Sequence, residues 1–158
     1  GSEMCIRDRA SGRTFLGCRA DAAAMSLDAL GVDALGVNCS LGPKEIAPIL
    51  QAMRTCTNLP LILKPNAGLP DPETGAYHTA PDEFARDCAA LTDVGAAYIG
   101  GCCGTNPDYI RALHDAVHTM TPGARDIHHG SFLCTPTMLT PAPTTSTIVR
   151  ANSSGGRS

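Results

Sequence analysis

Gly100-Gly101-Cys102-Cys103-Gly104-Thr105 follows directly on the short apolar run Ala96-Ala97-Tyr98-Ile99. The run reads as a strand, and a helix start comes next, with Asn106 as N-cap and Pro107 at the first helical position. Two adjacent cysteines therefore fall at the carboxyl end of a strand, where α/β folds place ligands and chemistry. Glycines on both sides let the backbone bend sharply and let a ligand come close. Cys39 has the same placement: it ends the run 34–38, Ala-Leu-Gly-Val-Asn, and is followed by Ser40-Leu41-Gly42-Pro43 and a helix. Three thiols at the same end of two parallel strands make a candidate soft-metal site, and zinc is the first metal to consider. Three protein ligands around zinc leave a fourth tetrahedral position for a substrate.

Outward from these motifs the chain alternates strand and helix. Residues 13–17 read as a short strand, and the Ala-rich stretch 21–30 as a helix closed by Gly31. Residues 44–54 form a helix behind Pro43, with Ile46, Ile49, Leu50 and Met53 at i, i+3, i+4 and i+7. Pro48 lies inside that helix and is expected to bend it. The strand 60–64, Pro-Leu-Ile-Leu-Lys, ends in Pro65-Asn66-Ala67-Gly68-Leu69-Pro70, and residues 71–80 are a loop. Pro81 opens a helix that has Asp82 and Glu83 at its positive end and Phe84, Cys88 and Leu91 on its inner face. The last helix spans about 107–120, with Ile110, Leu113 and Val117 inward. Repeats of this length are βα units, so the fold class is α/β with a parallel sheet. Four units suffice for a small open sheet, or for half of an eight-stranded barrel of about 250 residues.

Composition sets the boundaries. The chain has 158 residues, 43% of them hydrophobic, enough for one domain with a core. The net charge is −3 and no basic run occurs, which excludes nucleic acid as the expected partner. No apolar run approaches the roughly 18 residues of a membrane span, and the start does not read as a secretory signal. Eight cysteines without a disulfide-scaffold texture point to a reducing, cytoplasmic setting. Residues 1–9, GSEMCIRDR, fit nothing downstream and are set aside as a foreign or scar segment, Cys5 with them. Residues 10–120 carry the fold. Residues 121–158, rich in Thr, Ser and Pro, are expected to be a linker or disordered tail without a packed element.

Other features weigh less. Cys18, Cys56, Cys88 and Cys134 read as small buried hydrophobes. His114 and His118 are four apart on one helix but lack a third ligand, and read as a solvated face. His128-His129 sits in the expected tail. Asp71, Glu73 and Asp82 are loop and helix-start charges, and no carboxylate pair is placed for acid–base work. From a different class, the Gly100–Thr105 turn ahead of a helix would suit a phosphate-ligand binding module on helix-terminal N–H groups.

Three motifs in order, GVNCSLGP at 36–43, KPNAGLP at 64–70 and GGCCGTNPDYI at 100–110, resemble the homocysteine-binding (homocysteine S-methyltransferase) domain of cobalamin-dependent methionine synthase. GRTFLG at 12–17 and LGVDALGVNCS at 30–40 fit the same family, so the resemblance covers about residues 12–120. Betaine–homocysteine methyltransferase and related enzymes share the GGCC element, but PNAGLP favours the cobalamin-dependent type; a homocysteine methyltransferase fused to a folate reductase is a close relative that fits the same motifs. The resemblance implies a (β/α)8 TIM barrel of which this chain supplies about the last four βα units. It implies zinc held by Cys39, Cys102 and Cys103, with Asn66 filling the fourth position when substrate is absent. It further implies methyl transfer to the zinc-activated thiol of homocysteine, with methylcobalamin as donor, and no catalytic residue beyond the zinc ligands. The groups that hold the amino acid end of homocysteine are expected in the amino-terminal half-barrel, and the cobalamin and folate domains lie outside the chain. The expectation is therefore a fragment that is inactive alone.

Overall fold

The apolar runs flanked by helix signals form the elements expected of them. The structure, a computed structural model, describes residues 17–124, 132–135 and 138–141. In chain order these are α1 (Ala20–Ala29), β1 (Leu35–Asn38), α2 (Pro43–Arg54), β2 (Leu61–Lys64), α3 (Pro81–Asp93), β3 (Ala96–Ile99), α4 (Pro107–Val117), β4 (Phe132–Thr135) and β5 (Met138–Pro141). β1, β2 and β3 make a parallel sheet in that order. The expected strand 13–17 lies outside the described residues except for Gly17, which is not in a strand. The segment 1–9 lies outside them as well. Among the described residues no helix is long and apolar enough to cross a membrane.

Strand alternation assigns the two sheet faces. Leu35, Val37, Leu61, Leu63 and Ala96 are buried together with Ala20 and Ala24 of α1, Ile46, Ile49, Leu50 and Met53 of α2, and Leu91 of α3. The periodicity of the second helix is thus realised residue by residue. On the other face Gly36, Asn38, Ile62 and Lys64 are only half-buried, and Tyr98, the partner of Ile62, is 60% exposed. Gly36 marks a close approach between strands: a Cβ there would lie 1.9 Å from the Ile62 carbonyl oxygen. α2 continues through Pro48, whose ring is exposed, so the Lys44 carbonyl that loses its helical donor can turn to water.

A second core cluster lies between α3 and α4: Ala67, Phe84, Ala85, Cys88, Tyr109 and Leu113. The expected inner face of the last helix is corrected here. Ile110 is 45% exposed, and Tyr109 takes the inward position. Tyr109, Ala112, Leu113 and Val117 are the set that shares one helical face. The tyrosine gains both an edge-to-face contact with Phe84, centroids 5.6 Å apart, and a partner for its hydroxyl, which donates to the Thr79 carbonyl at 2.5 Å. Of the four cysteines read as buried hydrophobes, only Cys88 is buried; Cys18 and Cys56 are half-buried and Cys134 is exposed.

The expectation of no packed element after residue 120 also needs correction. Gly123 N–H donates to the Thr92 carbonyl at 2.8 Å and Arg54 Nη2 to the Ala124 carbonyl at 2.8 Å, so the chain folds back over the ends of α3 and α2. β4 and β5 pair antiparallel, and Cys134 Sγ lies 3.3 Å from the Ala22 carbonyl of α1. Short runs such as Phe-Leu-Cys-Thr carry too little alternation to stand out in a Thr/Ser/Pro-rich background. The rest of 125–158, His128 and His129 included, lies outside the described residues.

Phe84 is fully buried and joins α3 to α4. Phe84→Ala is expected to cost about 3–5 kcal/mol in urea-monitored unfolding, and Phe84→Leu much less. A loss below about 1 kcal/mol for the alanine variant would show that this helix pair does not depend on the ring.

Candidate metal centre

Hydrogen bonding does not stop where the three strands end. Cys39 N–H donates to the Lys64 carbonyl at 2.9 Å, and Gly100 N–H to the Leu63 carbonyl at 2.8 Å. Beyond them, Asn66 N–H reaches the Leu41 carbonyl, Cys102 N–H the Pro65 carbonyl and Ala67 N–H the Cys103 carbonyl, each at 2.9 Å. The PNAG segment is therefore laced between the Cys39 turn on one side and the double-cysteine turn on the other. Cys39 and Ser40 both have left-handed backbone, φ +65° and +67°, unusual for residues with a side chain. The turn is closed by Leu41 N–H on the Cys39 carbonyl at 2.9 Å. A left-handed non-glycine residue costs roughly 1–2 kcal/mol, and two in succession mark a turn held by its surroundings.

These turns bring the three expected sulfurs together. Cys39 Sγ lies 3.5 Å from Cys103 Sγ, Cys102 Sγ lies 4.0 Å from Cys103 Sγ, and all three fall within 4.8 Å of one another. A tetrahedral zinc with Zn–S bonds of about 2.3 Å sets its sulfurs about 3.8 Å apart, so the spacing fits. It is the only cluster of three metal-ligating side chains of this kind among the described residues. His114 and His118 do not join one. Their rings stack 5.0 Å apart on the exposed side of α4, with the two Nδ1 atoms paired to Asp115 and to the His114 carbonyl.

Asn66 is 2% exposed and its amide is engaged at both ends. Its Oδ1 accepts from the Cys103 N–H at 3.0 Å, and its Nδ2 faces the Tyr77 hydroxyl at 3.4 Å. Tyr77, in the loop 71–80, is the site residue that the sequence reading missed. Its ring lies over Gly104, which has φ +78° and where a Cβ would sit 2.4 Å from the ring. A single aromatic inside an otherwise polar loop was the available signal.

The thiols are not equivalent. Burial pushes Cys39 up, but hydrogen bonds from the Ser40 N–H, Cys103, Cys102 and Asn66 outweigh it and hold the thiol below its ordinary range. Burial and the neighbouring Cys39 and Cys103 push Cys102 up to about 11. Burial, then the charge and hydrogen bond of Cys103, raise Tyr77. Three sulfurs this close cannot all ionise without a cation among them.

The N–H groups of the first turn of α4 are taken up within the chain. Pro107 has no N–H, Asn106 Oδ1 takes the Asp108 N–H at 2.9 Å, and the Asn106 carbonyl takes those of Tyr109 and Ile110. Thr105 Oγ1 is turned back onto the Cys102 carbonyl at 2.7 Å.

The sequence model of one family, Homocysteine S-methyltransferase, matches residues 2–117, a span that contains all four expected site residues. The methionine synthase of Mycobacterium leprae is 37% identical over 116 residues, which are 72% of this chain and 10% of that protein. That of Mycobacterium tuberculosis is 34% identical over 122 residues, 75% of this chain and 10% of that protein. The chain thus spans about a tenth of the length of these relatives. A crystal structure of a homocysteine methyltransferase from Escherichia coli, in its oxidized form, is similar at 27% identity with a TM-score of 0.44, over 72% of this chain and 33% of that one.

The inequality of the thiols has a sign that alkylation can read. The thiolate is the nucleophile, so a lowered pKa extends reaction to lower pH and a raised one delays it. In the metal-free protein, iodoacetamide followed by peptide mass mapping should label Cys39 well below the pH at which Cys102 reacts. Cys88, buried and pushed up to about 12, should react last. Labelling of Cys102 ahead of Cys39 would show that the hydrogen bonds around Cys39 do not favour its thiolate.

Proposed function

Because the chain belongs to the homocysteine S-methyltransferase family, we propose that it forms part of a zinc-dependent homocysteine S-methyltransferase of the methionine synthase type. Cys39, Cys102 and Cys103 would hold the zinc. The observation that carries this reading is the meeting of three sulfurs from two strand ends at the spacing a tetrahedral ion requires. Bound there, zinc supplies a Lewis acid that keeps a substrate thiol, otherwise near pKa 8.5, deprotonated at neutral pH.

The chain's own residues set up this chemistry in three ways. The left-handed turn at Cys39-Ser40 and the hydrogen bonds around PNAG fix the sulfurs before any ligand arrives. Three thiolates against a divalent ion leave the centre net negative, which favours a substrate sulfur that keeps its electron density. The Asn66 carboxamide, packed against the thiols, is the group nearest in kind to a fourth ligand in the absence of substrate. Its Oδ1 has a second lone pair beside the one used on Cys103 N–H.

The parallel order β1-β2-β3, helices on one face and a half-open second face with Tyr98 exposed, supports reading the sheet as an arc of a (β/α)8 barrel. The substrate proposed is homocysteine and the donor methylcobalamin. The contacts to the amino and carboxylate groups of homocysteine are assigned to the remainder of the barrel. Positioning of that kind contributes several kcal/mol to a transfer reaction. A site on an open arc is also wet, which weakens each electrostatic contribution.

Two measurements test this. Purified protein is expected to carry one zinc, and Cys102→Ala to lose it; stoichiometric zinc in that variant would remove the assignment. Methyl transfer from methylcobalamin to homocysteine is expected to be absent for the chain alone and to appear when a fragment supplying the remaining barrel strands is added. Strong zinc-dependent turnover by the chain alone would show that these residues hold substrate without help.

A further inference from the structure

The Asn66 amide has a determined orientation. Its partner in the double-cysteine turn is a backbone N–H, which can only donate, so the atom facing it is Oδ1. Nδ2 therefore faces the Tyr77 oxygen, and that oxygen accepts. The tyrosine's own proton must then point elsewhere; the ring lies over Gly104, the residue next to Cys103, and of the three thiols that act on the hydroxyl Cys103 acts most strongly. The ring is held by backbone and packing. Gly104 leaves the space it occupies. The loop is closed at one end by Asp71, whose N–H donates to the Ala76 carbonyl at 2.7 Å and whose carboxylate takes the N–H groups of Glu73 and Thr74. At the other end Tyr109 fastens it through the Thr79 carbonyl. A loop of ten residues is thus tied on both sides of Tyr77.

We propose that Tyr77 is a positioning residue of the cysteine centre, its hydroxyl donating a hydrogen bond to the Cys103 sulfur when that sulfur is a metal-bound thiolate. This rests on the zinc reading given above. A thiolate is a hydrogen-bond acceptor, and a donor held against it both stabilises the charge and lowers the electron density the sulfur gives to the metal. Cys103 is the exposed member of the trio, so it is the sulfur whose surroundings such a cover changes most. The relay Cys103 N–H to Asn66 to Tyr77 to Cys103 Sγ ties the backbone and the sulfur of one residue through two side chains.

The test uses the full chain and compares wild type with Tyr77→Phe, which keeps the ring over Gly104 and removes only the hydroxyl. Zinc affinity is read by competition with a chromophoric chelator, and the sulfur-to-metal charge-transfer band is read after loading with Co(II). Tyr77→Phe is expected to bind zinc about tenfold more weakly and to shift the cobalt band, while the metal-free far-UV spectrum and unfolding midpoint stay unchanged. A purely structural role would move the midpoint and leave the band in place. Equal affinity and an unshifted band would overturn this inference alone. A wild type that binds no zinc would overturn the underlying reading and this one with it. Should Tyr77→Phe not fold, the wild type still decides. Zinc titration should perturb tyrosine absorption, and equally so in Tyr98→Phe; flat tyrosine absorption would overturn the proposal.

Discussion

Three thiols drawn from segments 64 residues apart approach within 4.8 Å because backbone hydrogen bonding continues past the carboxyl ends of the strands. Strand pairing brings β1, β2 and β3 side by side, but parallel strands alone would let the following loops diverge. The PNAG segment prevents this. It is bonded to the Cys39 turn through Asn66 N–H, to the double-cysteine turn through the Pro65 carbonyl and Ala67 N–H, and to Cys103 again through the Asn66 side chain. The buried carboxamide is the part of this arrangement with least freedom. Leaving its partners unpaired would cost about 1–3 kcal/mol per buried group.

The packing beneath the site follows from the same placement. The core formed by β1, β2 and the faces of α1 and α2 sets the height of the Cys39 turn. The smaller cluster between α3 and α4 sets that of the double-cysteine turn and of the loop 71–80, since Tyr109 packs on Phe84 and bonds to Thr79. Two cores therefore converge on one site, each fixing a different strand end. The half-open second sheet face stands apart from both. It carries Gly36, Asn38, Ile62 and Lys64 rather than a continuous apolar stripe, and only Tyr98 projects far into solvent.

Much of this was legible in the sequence, for identifiable reasons. Prolines at the first helical position mark the starts of α2, α3 and α4, and the apolar periods of α2 and α3 gave their buried faces correctly. The three thiols were legible because glycine-flanked cysteines at strand ends are hard to explain as packing. Ile110 misled because an aliphatic residue outranks a tyrosine on any hydrophobic count. The tyrosine won because its ring met Phe84 and its hydroxyl met a carbonyl. Tyr77 and the backbone strain at Ser40 were not legible, since both depend on which loops face each other. The β4–β5 pair was hidden by the composition around it.

The metal-free centre manages its own charge. Three ionised sulfurs at these distances would repel strongly, and the structure lowers that repulsion by distributing protons unevenly. Hydrogen bonds from the Ser40 N–H, Cys103, Cys102 and the Asn66 amide outweigh burial and hold Cys39 below its ordinary range, whereas burial and its neighbours push Cys102 up to about 11. The sulfurs therefore stay together while carrying only part of their possible charge. On the zinc reading, ion binding must then displace protons, that of Cys102 among them, and affinity rises with pH for that reason. The proton on Cys102 acts against the metal, while the backbone lacing around Asn66 acts for it, because the sulfurs need not be gathered at the moment of binding. The loop bearing Tyr77 belongs to the second effect: Asp71 and Tyr109 tie it down at points outside the thiol cluster, with the Tyr77 ring held over Gly104.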